Sequence, residues 1–157
     1  MGFGLLTSGS TGLPRLVLRS DRSLITEGER YLHGFSFAPA DRIVVALPLC
    51  HAFILGLALG GAVVSGCTLH LVLRFTPRGT QRVLREGNAS ILPLVPATAR
   101  LLCDAFLDDG PAPRAVRQII IGAGPVSPEL EQAVIARLGH VPARNYGSSE
   151  TGATLGT

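Results

Sequence analysis

The chain has 157 residues, enough for one domain with its own core and short for two. Hydrophobic residues make up 46% of it and charged residues 16%, which excludes a disordered chain. The formal charge is +3 and all 14 basic residues are arginine, yet no arginine cluster is interleaved with aromatic residues, so nothing points to a nucleic-acid partner.

Cys50, Cys67 and Cys103 are odd in number and widely spaced. They fit neither a disulfide framework nor a metal site, and a reducing cytoplasm is the expected setting. The N-terminus lacks a charged region followed by an apolar core, so no signal peptide is read there. Residues 53–73 are apolar, but Gly56, Gly60, Gly61, Ser65, Gly66, Thr68 and His70 interrupt them. A helix followed by a buried strand is expected there, not a membrane span.

In chain order, Leu5 and Leu6 end an apolar run that reads as a buried strand. It enters Thr7-Ser8-Gly9-Ser10-Thr11-Gly12, which is two glycines and four hydroxyl residues, and leaves through Pro14 and Arg15 into Leu16-Val17-Leu18. Such a loop builds a phosphate cradle: the glycines let backbone N–H groups approach an anion, the hydroxyls donate further bonds, and Arg15 pairs with phosphate oxygens. The competing reading is a hairpin closed by a polar turn, though hairpin loops mostly have about two to five residues and fewer hydroxyls. The spacing from Gly9 reaches no Gly-Lys-Ser/Thr, which excludes a Walker-type loop.

Ser20 or Asp21 caps a helix expected to run to about Gly34, with Leu24, Ile25, Tyr31 and Leu32 inward and Glu27, Glu29 and Arg30 in solvent. Residues 43–47 form a continuous apolar run, as in a parallel strand covered on both faces. Pro48 stops it and Leu49-Cys50-His51-Ala52-Phe53 follows, where a histidine at a strand end is ordinarily structural. A helix over 53–65 is rich in small residues, implying close approach to a neighbour. A strand over 66–73, a helix opened by Thr76-Pro77 through Glu86, a short strand within 88–96, a helix over 97–107 with Leu101, Leu102 and Phe106 inward, and a connector over 108–113 come next.

The strand over 116–121 ends in Gly122-Ala123-Gly124. Backbone without side chains at a strand's carboxyl end lets a flat ring lie against it, and a plain tight turn explains the same residues. Ser127 caps a helix carrying Leu130, Val134, Ile135 and Leu138, stopped by Gly139. The chain then reads Asn145-Tyr146-Gly147-Ser148-Ser149-Glu150-Thr151-Gly152, by itself a polar loop after a final strand. Strands alternating with helices predict an α/β fold: a doubly wound, mostly parallel sheet with helices on both faces, in a single domain over 1–157.

Residues 7–14 resemble the phosphate-binding signature of the adenylate-forming, or AMP-binding, superfamily, roughly Thr-Ser-Gly-Ser/Thr-Thr-Gly-x-Pro-Lys-Gly. Its members include acyl-CoA synthetases, aryl-acid ligases and the adenylation domains of nonribosomal peptide synthetases. Arg15 and Leu16 depart from the usual Lys and Gly. Leu47-Pro48-Leu49-Cys50-His51 with Gly56 resembles a second signature, Gly122-Ala123-Gly124 a third, approximately Ser-Gly-Gly-Ala-Pro-Leu, and residues 145–151 a fourth, Tyr-Gly-x-Thr-Glu-Thr.

The resemblance implies ATP and Mg2+ as cofactors. It places Thr7, Ser8, Gly9, Ser10, Thr11, Gly12 and Arg15 around the phosphates, and Gly122, Ala123 and Gly124 against the adenine. Asn145, Tyr146, Gly147 and Ser149 complete the nucleotide site, Tyr146 by stacking on adenine and Ser149 by contacting the α-phosphate or the carboxylate. His51 becomes a wall or gate of the acyl or aryl pocket and Glu150 a holder of Mg2+, so that Thr11, Arg15, His51 and Glu150 form the catalytic set. A phenol ring suits stacking and a carboxylate is a hard ligand for magnesium.

The implied reaction is attack of a carboxylate on the α-phosphate of ATP, giving an acyl adenylate and pyrophosphate, often followed by transfer to coenzyme A or a phosphopantetheine carrier protein. Ala52 and Phe53 stand near the place where amino-acid-activating members carry Asp, so an acyl or aryl acid is expected. Complete members also have an N-terminal portion, a later ribose-binding Asp and a C-terminal domain with a catalytic Lys; none is placed here, and the sequence has no lysine. The chain is thus read as the central nucleotide-binding part of a larger fold. Three readings stay open: a ligase, alone or completed by another chain; a nucleotide or acyl-adenylate binding module without turnover; and a truncated remnant that pairs with a partner.

Overall fold

The computed structural model describes residues 2–7, 12–106 and 115–156. Five strands run parallel: β3 (Arg42–Val45), β4 (Thr68–Leu71), β5 (Ile91–Leu94), β6 (Gln118–Gly122) and β7 (Ala143–Ser148). Strand β8 (Gly152–Gly156) closes the edge antiparallel to β7, and the order across the six-stranded sheet is β4-β3-β5-β6-β7-β8. Apart from this sheet, β1 (Gly2–Thr7) and β2 (Arg15–Ser20) form a two-stranded antiparallel ribbon. The expected α/β sheet with helices on both faces is what forms.

The central strands are apolar on both sides because both sides are covered. Ile43, Val45, Ile91 and Ile120 face a core that includes Tyr31, Ile54 and Leu57, from α1 (Asp21–Gly34), α2 (Ala52–Ile54) and the π-helical segment Leu55–Gly60 that runs on into α3 (Gly61–Ser65). Val44, Leu92, Ile119 and Ile121 face the other core with Leu84, Leu102 and Val134 from α4 (Pro77–Glu86), α5 (Pro96–Ala105) and α6 (Pro128–Leu138). Period-two alternation thus sorts each strand between two cores. Pro93 lacks an N–H, and the ladder between β3 and β5 is correspondingly short, recorded at Ile43 and Ile91 alone.

Local signals set the helix ends. Ser20, Thr76 and Ser127 each accept a bond from the backbone N–H three residues on, and α4 and α6 begin at proline. The small residues of 52–65 do mark close approach: a Cβ on Gly28 of α1 would overlap the Gly60 carbonyl, so the two helices meet at their backbones. No helix among the described residues is long and apolar enough to cross a membrane.

Several expectations are corrected. The first apolar runs are not strands buried in the main sheet: β1 and β2 are a hairpin with Thr7 opposite Arg15, Leu5 is buried, and Leu6, Leu16 and Leu18 are exposed. A two-stranded ribbon covered on one face leaves alternate side chains outside. Ile25 and Leu101 also face outward. The largest correction is Glu27, expected in solvent and found 1% exposed. Strand β8 was not expected at all, since its short glycine-rich sequence shows no strand periodicity.

At the amino ends of β3, β5 and β6 a clamp holds the sheet. Arg117 donates to Asp41 through Nη2 at 2.6 Å and Nε at 2.9 Å, and the Ser90 hydroxyl and Ala38 N–H donate to the same carboxylate at 2.7 and 2.8 Å. Chemistry is left for the opposite, carboxyl end.

Candidate active site

The sheet order reverses between β3 and β5, because β4 lies to one side of β3 and the strands from β5 onward lie to the other. Open α/β sheets form their crevice at such a point, outside the carboxyl ends of the strands. A cleft of about 610 Å³ occurs there. His51, Ala52 and Phe53 line it after β3, Val95 after β5, Ala123 after β6, and Asn145, Gly147, Ser148 and Ser149 from β7 and its turn. Residues nearly 100 positions apart in sequence are brought to one cavity.

Each wall has a local cause. The His51 N–H donates to the Pro48 carbonyl at 3.1 Å, a turn that delivers His51 to the N-terminus of α2 with its side chain exposed. The Phe53 ring lies over Gly122, where a Cβ would come within 2.9 Å of it. Ala123 takes φ +59°, a left-handed conformation that strains an L-residue by roughly 1–2 kcal/mol. Such a conformation persists only where the surrounding structure holds it.

The turn after β7 is closed by a reciprocal clasp. The Ser148 N–H donates to Thr151 Oγ1 at 3.3 Å, the Thr151 N–H donates to Ser148 Oγ at 3.2 Å, and the two hydroxyls lie 3.1 Å apart. Ser149 is thereby presented to the cleft and Glu150 to solvent. Bonds from its own backbone N–H and from Ser148, with the Arg15 charge adding to them, hold the Glu150 carboxyl below the usual carboxylate range.

Of the residues singled out from sequence, His51, Ala123, Asn145, Gly147 and Ser149 meet in the cleft. Thr7 and Arg15 face each other across the mouth of the hairpin, and Gly12 takes φ +109°. Gly122 and Gly124 do not line the cleft but lie beneath Phe53 and Pro96. Tyr146 is not among the lining residues either, and its side chain is 71% exposed. Ser8, Gly9, Ser10 and Thr11 lie outside the described residues.

Sequence reasoning missed a set of residues behind the cleft. Tyr31 Oη donates to Asn145 Oδ1 at 3.1 Å, Arg30 donates to the Ala153 carbonyl at 2.7 Å, and Glu27 accepts from the Ala153 N–H at 2.8 Å. A signal was present. Leu24, Glu27, Gly28 and Tyr31 follow the i, i+3, i+4, i+7 pattern of a single helix face, so position placed Glu27 inward while charge alone placed it outward.

Among the described residues no three His, Cys, Asp or Glu side chains gather as a metal cage. A lone exposed carboxylate still suits magnesium, which is usually held by one or two carboxylates plus substrate phosphates and water. The donor set at Glu150 fits that ion.

The family model described as AMP-binding enzyme matches residues 3–157. Among curated proteins, 4-coumarate--CoA ligase 3 of Oryza sativa subsp. japonica is 29% identical over 154 residues, covering 95% of this chain and 28% of that protein. Among solved structures, ATP-bound MatB from Rhodopseudomonas palustris superposes with a TM-score of 0.84 at 23% identity, over 98% of this chain and 30% of that one. The o-succinylbenzoate coenzyme A synthetase from Bacillus subtilis, in complex with ATP and magnesium ion, gives 0.84 at 21% identity over 98% and 32%. These structures share the fold, and the chain spans less than a third of each of these relatives.

Proposed function

Since the chain belongs to the AMP-binding enzyme family, we propose that its cleft takes ATP and a carboxylic acid and serves their conversion to an acyl adenylate and pyrophosphate, the acid being acyl or aryl. The observation that carries this reading is the convergence of His51, Ala123, Asn145 and Ser149 on one crevice at the carboxyl ends of the strands.

In this reading Arg15, Thr7 and the loop over 8–12, Thr11 included, bind the phosphates by charge and hydrogen bonding. Ala123 borders the adenine, with Gly122 and Gly124 shaping that wall from beneath Phe53 and Pro96; Asn145, Gly147 and Ser149 position the nucleotide against the acid, and the exposed Tyr146 stacks on adenine by turning in from the rim of the cleft. His51 walls the acid's side of the cleft. Glu150 would hold Mg2+, which on binding offsets charge on the phosphates. Catalysis of this kind rests on positioning and electrostatic stabilisation, so each residue serves by being held in place. The names of the relatives support coenzyme A as thiol acceptor.

A second reading is nucleotide binding without turnover. Calorimetric titration of the chain with ATP and Mg2+, followed by pyrophosphate exchange with a panel of aliphatic and aromatic acids, decides between them. Saturable binding with acid-dependent exchange that Glu150→Ala abolishes supports adenylation. Binding with no exchange for any acid supports the second reading, and a folded chain that binds no nucleotide overturns both.

A further inference from the structure

Glu27 is a buried carboxylate with no place in the roles above. Its two oxygens have separate partners: Oε2 accepts from Arg19 Nη2 at 2.7 Å and Oε1 from the Ala153 N–H at 2.8 Å. Arg19, itself only 8% exposed, lies in β2 opposite Phe3, at the end of the hairpin away from Thr7 and Arg15, and also donates from Nε to Ser23 Oγ at 3.3 Å. Ala153 lines the cleft, three residues beyond Glu150. The carboxylate rests where Gly56 and Gly152 have no side chains, since a Cβ on either would overlap it. Gly56 lies in the helix that follows His51, and Gly152 ends the turn that carries Glu150.

One side chain thus joins the phosphate hairpin, α1, the His51 helix and the Glu150 turn. Replacing such an ion pair by apolar groups of similar volume is often neutral for stability, so stability alone gives little reason for it. What the pair does supply is a fixed link between the β1–β2 hairpin and the edge strand β8, from different parts of the fold. We propose that Glu27 is a positioning residue: held by Arg19, it fixes the β1–β2 hairpin, which carries Thr7 and Arg15, against strand β8, which follows the Glu150 turn, and so sets the two flanks of the Mg2+-nucleotide site relative to each other. This rests on the nucleotide reading of the cleft.

A glutamine at 27 has one acceptor oxygen for two donors and turns its NH2 toward the other, so Glu27→Gln must break one of the two links while keeping the side chain's shape. The double variant Arg19→Met/Glu27→Leu removes both charges together. We expect the variants that fold to unfold within a few degrees of the parent chain and to bind ATP with Mg2+ at least ten-fold more weakly, with the Ala153 amide exchanging at least ten-fold faster and the amides of β5 and β6 unchanged. Folded variants that bind ATP with Mg2+ within two-fold of the parent overturn the proposal, and so does failure of both variants to fold, which makes the pair a stability element. If the parent chain itself binds no nucleotide, the reading of the cleft has failed instead. Amide exchange then decides the coupling: selective loss of protection over residues 145–153 sustains it, and unchanged protection overturns it.

Discussion

The Tyr31 hydroxyl donates a 3.1 Å hydrogen bond to Asn145 Oδ1, tying α1 to a residue that lines the cleft from β7. Burial, with the Glu27 charge adding to it, pushes the Tyr31 phenol well above its ordinary range, so it is a neutral donor at physiological pH. The bond fixes which way the Asn145 amide faces.

Tyr31→Phe keeps the ring and deletes that donor. The expected cost is about 1 kcal/mol of stability, read from chemical denaturation, with a several-fold loss of affinity for ATP and Mg2+. A variant unchanged in both respects would show that Asn145 needs no such anchor.

Ala123→Gly tests the strain at the end of β6. Relief of the left-handed conformation is worth roughly 1–2 kcal/mol, and the greater freedom of glycine in the unfolded chain takes back roughly 0.5–1 kcal/mol. The net is a gain of up to about 1.5 kcal/mol, seen as a higher denaturant midpoint. Destabilisation beyond about 1 kcal/mol would mean that the methyl group packs against something that matters more than the strain.

Asp41 makes stability depend on acid. Its hydrogen bonds from Arg117 lower the carboxyl pKa from 3.8 to about 2, with Ser90 and the Ala38 N–H contributing. A depressed folded-state pKa means that the stabilisation is complete above the unfolded value and disappears as pH falls toward 2. Because the Arg117 side chain is 39% exposed, solvent screens the pair. The contribution is accordingly set at about 1–2 kcal/mol. Unfolding free energies measured between pH 5 and pH 2, values chosen to bracket the titration, should fall more steeply for the parent chain than for Asp41→Asn; parallel curves would remove Asp41 from the account.

Thiol labelling separates the cysteines. Cys50 is exposed, whereas Cys67 and Cys103 are buried and burial raises both thiols, that of Cys103 to about 11. One equivalent of an alkylating reagent should react quickly in the native state, with the other two following at the rate of unfolding. Rapid native-state modification of Cys103, detected by mass spectrometry of peptides, would contradict the packing of α5 against the sheet.

Much of the architecture was written locally. The apolar runs at 43–45, 91–94 and 119–121 have the composition of strands covered twice, and Ser20, Thr76 and Ser127 carry capping chemistry that acts over three residues. These features are settled by neighbours in the chain, so periodicity and end signals determined the order of elements and the doubly wound sheet. The motif residues His51, Ala123 and Ser149 were likewise visible as residue types at the ends of expected strands.

Only the tertiary structure decided where those motifs meet and what stands behind them. Glu27 reaches Ala153 across 126 positions and Tyr31 reaches Asn145 across 114, and no local pattern announces either bond. A carboxylate in a helix is solvated or buried according to which donors arrive from elsewhere; here Arg19 and the edge strand β8 supply them, and Gly56 and Gly152 leave the room. Sequence determined which elements form because their free energy is local, while the pairing of distant polar groups determined how the cleft is held because it exists only once the chain has folded.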